Sequence, residues 1–161
     1  MTSVEIALRM ETDAIKFYRE AADRTSNPVG KKMFLSIVED EKRHVEMISQ
    51  ILKGLDLHAK DANPVKAVRT IFEEMKPQMM ERVAATKDEV DAFKIAMDME
   101  KEGVEFYRKA MAEAPSEKEK ALFQRLLKEE EAHYSIFSNT FSFMNDSGNW
   151  YMWEEHGIVE G

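Results

Sequence analysis

The stretch FLSIVEDEKRHVEMISQIL, residues 34–52, decides the fold when it is set against FQRLLKEEEAHYSIF, residues 123–137. The second follows the first at an offset of 89 residues, which places Phe34, Glu41 and His44 on Phe123, Glu130 and His133. In the first, Phe34, Ile37, Val38, Glu41, His44, Val45, Ile48, Ile51 and Leu52 share one face at helical spacing. In the second, Phe123, Leu126, Leu127, Glu130, His133, Ile136 and Phe137 do the same. A carboxylate and an imidazole three positions apart thus interrupt an otherwise apolar helix face, twice, at matching places.

The repeat extends upstream of both stretches. Ile6-Ala7 falls on Ile95-Ala96, Met10-Glu11 on Met99-Glu100, Phe17-Tyr18-Arg19 on Phe106-Tyr107-Arg108, Ala21 on Ala110 and Lys31 on Lys120. Here the inward stripes are Ala7, Met10, Ala14, Tyr18, Ala21 and Ala96, Met99, Gly103, Tyr107, Ala110. Each unit reads as one helical hairpin, so the chain is two related hairpins and a linker. Capping-box patterns stand at Thr2/Glu5, Thr86/Glu89 and Ser116/Glu119, and Asn27-Pro28 and Asn63-Pro64 put Pro at a first helical position. The spacing predicts helices near 3–25, 28–54, 87–114 and 116–143.

The expected architecture is all-α: a four-helix bundle over 1–145, with hairpins 3–54 and 87–143 and a crossover over 55–86. Within the crossover, Leu55 to Asn63 reads as loop and Pro64 to Met75 as a short amphipathic helix. Pro77 breaks it, and Gln78 to Ala85 is expected to resume a turn or two. A connection this long returns along the bundle and makes the second and third long helices parallel. The tail, 146–161, carries Trp150, Tyr151, Trp153 and His156, and is expected to pack on the bundle or on a neighbouring subunit.

Glu11 and Glu41 are 30 residues apart with their midpoint at Ser26; Glu100 and Glu130 are 30 apart with theirs at Pro115. Both midpoints fall in predicted turns. Each pair therefore sits side by side, about fifteen residues or roughly 22 Å from its turn, and His44 and His133 follow on the same face. Pairing the apolar faces turns all six side chains to one centre. Four carboxylates in a core repel one another and resist ionisation, and a buried uncompensated charge costs several kcal/mol. Two divalent cations cancel that charge. Mixed imidazole and carboxylate donors suit iron or manganese, whereas calcium takes oxygen alone. One Glu from each of two helices and Glu-x-x-His from each of the others matches the ligand set of dimetal four-helix bundles.

Composition narrows the function from the other side. Apolar residues are 43% and charged residues 34% of the 161, with six Gly and four Pro, as long amphipathic helices with few turns require. A formal charge of −8 without a basic stripe argues against a nucleic-acid partner. There is no cysteine, which excludes disulfides, thiolate zinc sites, iron–sulfur clusters and rubredoxin-type centres within these residues. The segment Met1-Thr2-Ser3-Val4-Glu5 lacks the basic and apolar parts of a signal peptide, and no apolar run reaches membrane-spanning length. A cytoplasmic protein without a membrane partner is expected.

The motif Met-Glu-x-x-x-x-x-Phe-Tyr followed by Glu-x-x-His, present twice, resembles the rubrerythrin and bacterioferritin branch of the ferritin-like proteins over about residues 3–143. The resemblance implies a ferritin-like antiparallel bundle holding two iron ions, with manganese or a mixed pair as alternatives. It implies that Glu11 and Glu100 are ligands from single helices, that Glu41 and Glu130 bridge the metals, and that His44 and His133 complete the two spheres. It also implies that Tyr18 and Tyr107 hydrogen-bond to ligand carboxylates and that Asp40 and Glu129 orient the histidines. The implied activity is reduction of peroxide or dioxygen with electrons from an external donor protein or reductant, by a homodimer. Alternatives are a ferroxidase that handles iron and a non-catalytic, metal-binding regulator. Two departures stand out: rubrerythrins usually carry a further glutamate where this chain has Gly103, and usually a rubredoxin domain. Gly103 and its repeat counterpart Ala14 are small, and either leave space beside the metals for an oxidant or, in the case of Gly103, let two helices approach closely. His58 and His156 have no partner at ligand spacing and are expected in solvent.

Overall fold

The computed structural model describes residues 1–58, 62–75 and 84–149. They form five helices: α1 Ser3–Arg24, α2 Pro28–Leu52, α3 Pro64–Glu74, α4 Lys87–Ala112 and α5 Glu117–Ser147. The expected starts hold because their caps form. Thr2 and Thr86 make reciprocal capping boxes with Glu5 and Glu89, while Asn27 and Asn63 accept backbone N–H groups ahead of Pro28 and Pro64. The last helix outruns its expected end at residue 143. It continues to Ser147 and stops at Gly148, whose φ of 74° is the left-handed conformation that closes a helix.

Two contacts fix the direction of the crossover. The Ser26 N–H and hydroxyl both donate to Glu89 Oε2 at 3.2 Å, so α4 begins beside the α1–α2 turn. Lys118 Nζ donates to the Gly54 carbonyl at 3.2 Å, so α5 begins where α2 ends. α2 and α4 are therefore parallel, and each hairpin is antiparallel within itself. The crossover helix α3 packs on α2 and α5. At its far end Ala84 and Asn149 form an isolated bridge, and Ala85 N–H donates to the Gly148 carbonyl at 3.0 Å. Ala84 and Ala85 are thus held outside any helix; Pro77, residues 78–83 of the expected resumption and the aromatic tail from Trp150 lie outside the described residues.

The core is in two parts. One contains Tyr18, Met33, Phe34, Phe72, Phe93 and Phe137; the other contains Ala7, Met47, Ile48, Tyr107, Phe123 and Leu126. Between them lies the level of the charged residues. Leu52, expected on the inner face of α2, is 44% exposed at that helix's last turn. Among the described residues no helix is long and apolar enough to cross a membrane.

Candidate metal centre

Glu11 enters the centre from α1, Glu41 and His44 from α2, Glu100 from α4, and Glu130 and His133 from α5; none is more than 4% exposed. Glu11, Glu41, His44 and Glu130 each offer an atom within 4.8 Å of the others, and Glu41, Glu100, Glu130 and His133 do likewise. Glu41 and Glu130 belong to both groups. His44 Nδ1 lies 3.3 Å from Glu41 Oε1 and from Glu130 Oε1, and 3.4 Å from Glu11 Oε2. His133 Nδ1 lies 3.3 Å from Glu41 Oε1 and 3.5 Å from Glu100 Oε1.

These separations suit several donors facing a common point better than donors paired with one another. Glu11 Oε2, Glu41 Oε1, Glu100 Oε2, Glu130 Oε1, His44 Nδ1 and His133 Nδ1 are all buried without a hydrogen-bond partner. Each of the six residues contributes one such atom. A buried polar atom left unsatisfied costs about 1–3 kcal/mol, so six in one place describe a cradle for cations. The residues fit a metal pair.

The surrounding contacts are those the resemblance implies, and all of them cross between the repeats. Tyr18 OH donates to Glu100 Oε1 at 2.6 Å, and Tyr107 OH donates to Glu11 Oε1 at 2.7 Å. Glu129 Oε1 lies 3.0 Å from His44 Nε2, and Asp40 Oδ2 lies 2.9 Å from His133 Nε2. When the ring is neutral, a carboxylate at Nε2 selects the tautomer that carries its proton there and leaves the Nδ1 lone pair facing the centre.

Sequence reading missed two arginines. Arg43 Nη2 lies 2.6 Å from Asp40 Oδ1 and 3.0 Å from Glu129 Oε1, and Arg125 Nε donates to Glu129 Oε2 at 2.8 Å. The signal was present, since Arg43 follows Asp40 by three and Arg125 precedes Glu129 by four, the spacings of helix ion pairs.

Electrostatics divide the carboxylates. Burial and the charges of Glu11 and Glu100 push Glu41 up to about 8. Burial and the charges of Glu100, Glu11 and Glu41 push Glu130 well up too. Burial also raises Glu11, but the His44 charge and the Tyr107 hydroxyl outweigh it and bring Glu11 down to about 2. Both histidines are driven well above their ordinary value by the carboxylates, against burial. Glu129 and Asp40 stay low because their histidine and arginine partners outweigh burial. Burial and the adjoining glutamates push both tyrosines up, so they remain donors.

A cavity of about 190 Å³ opens between α1 and α4 and reaches all four glutamates. Ala14 and Gly103 line it, with Met10, Met99, Asp13 and Glu102. His58 is exposed, in accord with its expected place in solvent, and His156 lies outside the described residues. The family model described as Rubrerythrin matches residues 3–141. No curated protein and no solved structure matches the chain.

Proposed function

We propose a function from two premises: the chain belongs to the rubrerythrin family, and its core carries a buried carboxylate and histidine cluster that could hold metal. On this reading it is a di-iron oxidoreductase that reduces peroxide or dioxygen with electrons from an external donor. Glu11 with His44 would hold one ion, Glu100 with His133 the other, and Glu41 and Glu130 would bridge them. Two Fe(II) ions so held would supply the two electrons that reduction of peroxide to water consumes.

The protein's own part is positioning. Tyr18 and Tyr107 hold one oxygen of Glu100 and of Glu11, leaving the other oxygen of each for the centre. Glu129 and Asp40 hold the Nε2 protons, so each imidazole presents a single donor atom. The protein supplies no thiolate iron centre from these residues, since the chain has no cysteine. On this reading the electrons come from a donor outside these residues.

The observation that carries oxidant reduction is the cavity of about 190 Å³ that reaches all four glutamates. It has room for peroxide or dioxygen to reach them. The test is anaerobic loading with Fe(II), then rapid mixing with peroxide and with dioxygen in parallel, with a chemical reductant present. Repeated turnover with iron retained is the expected result. Iron lost after one oxidation would favour a role in iron handling, and inertness to both oxidants would sink the oxidoreductase reading.

A further inference from the structure

The two halves of the centre have equivalent ligands but unequal supports. Repeat symmetry pairs Glu11 with Glu100, His44 with His133, Tyr18 with Tyr107 and Asp40 with Glu129. The arginines break it, because Arg43 has Ala132 as its counterpart and Arg125 has Ser36. One guanidinium therefore serves two acids. Arg43 Nη2 sits 2.6 Å from Asp40 and 3.0 Å from Glu129, and those acids reach His133 at 2.9 Å and His44 at 3.0 Å. The result is a continuous chain, His133–Asp40–Arg43–Glu129–His44, running outside the ligands from one half of the centre to the other.

We propose that Arg43 is a positioning residue that couples the two metal positions, so that an ion on one histidine orders the other and loading is cooperative. The inference rests on the dimetal reading above. A guanidinium suits the task because its charge is permanent and its donors lie in one rigid plane. The chain is sheltered, with side-chain exposures of 26% for Arg43, 12% for Asp40 and 2% for Glu129. Removing Arg43 affects the arms unequally. Glu129 keeps Arg125 at 2.8 Å, whereas Asp40 keeps its contact with His133. The Glu100/His133 position should therefore loosen more than the Glu11/His44 position.

The test is anaerobic calorimetric titration of the full chain with Fe(II), beside Arg43→Ala and Arg125→Ala, with helical content checked by circular dichroism. The unaltered protein should take up two ions in one cooperative phase. Arg43→Ala should resolve two phases, the second weaker by roughly 10–100-fold, the usual effect of losing an outer support of a metal ligand. Arg125→Ala leaves the Arg43 chain intact and should keep the single phase. Arg43→Gln, which keeps most of the stem, replaces Arg43→Ala if the latter does not fold. A merely structural arginine would lower the melting temperature without splitting the phases. A single cooperative phase in the Arg43 variant, or independent binding of two ions by the unaltered protein, overturns the coupling and leaves the dimetal reading standing. No Fe(II) uptake by the unaltered protein overturns both.

Discussion

Glu130 shows how much one side chain in this centre does. It belongs to both ligand groups, lines the cavity and faces Gly103, where an added Cβ would lie 3.5 Å from Glu130 Oε2. Its partner in both groups is Glu41. Either Glu41→Ala or Glu130→Ala should therefore lose most of both ions rather than one, as metal analysis of the purified variants after Fe(II) or Mn(II) loading will check. Full retention of two ions by each variant would remove the bridging assignment. Gly103 bears on reaction rather than binding. The nearest atoms to a Cβ there all belong to the Glu130 side chain, so this glycine is not keeping two backbones in contact. Gly103→Leu should fold and bind two ions but react with peroxide or dioxygen at least about tenfold more slowly, because its branched end occupies the route to the glutamates. Unchanged oxidation rates in the loaded variant would refute the access role. Stepwise spacing made the six inward residues legible in advance. It could not say that Tyr18 serves Glu100 rather than Glu11, since position along one helix does not reveal which neighbour a long side chain reaches.

Among the elements, α4 illustrates what local sequence controls. Its start is set by Thr86 and Glu89 in a capping box, and Glu89 also takes both donors of Ser26 from the opposite hairpin. Glu89→Ala should cost about 1–2 kcal/mol, the upper range for a lost cap, and lower the melting temperature of apo and loaded protein alike. A change confined to the loaded form would contradict that. Inside the same helix, Gly103→Ala removes the propensity penalty of glycine, about 0.8–1 kcal/mol. The new Cβ meets ordinary contact at 3.5 Å. The apo variant should melt higher than the parent, and a lower melting point would show strain at this position. Helix starts were readable because caps are chemical signatures. The end of α5 at Gly148 was missed although glycine is itself a stop signal, because no basic residue in the last turn reinforces it.

For the whole molecule, the centre is a charge balance that metal replaces with another. Glu41 stays protonated up to about 8, and Glu130, His44 and His133 are raised well above their ordinary values. Protons on these raised groups compete with cations for the same atoms. Loading in weak buffer should therefore release protons, measured with a pH indicator; release of none would contradict the electrostatics. Stability follows the same balance. A raised carboxyl such as Glu41 contributes fully below its ordinary value of 4.5 and loses that contribution as pH climbs through about 8. His44 and His133 act in the same direction above 6.5. Glu11, Glu100, Asp40 and Glu129, held low, contribute above their ordinary values and lose it only in stronger acid. The melting temperature of apo protein should thus fall from pH 5 to 8 relative to loaded protein. Parallel curves would count against it.

That each bond from a tyrosine or an acid to one of the six inward residues crosses between the repeats has a consequence for ancestry. A single hairpin contains Glu, Glu-x-x-His, Tyr and an acid, yet Tyr18 and Asp40 find their partners on the second copy, and Tyr107 and Glu129 find theirs on the first. Before duplication such a hairpin could have completed this centre only by pairing with a second molecule of itself. The two-fold relation at an offset of 89 residues is what joining two such copies in one chain produces. Fusion freed the halves to diverge. Arg43 where the second copy has Ala132, and Gly103 where the first has Ala14, are differences that two identical chains could never have carried.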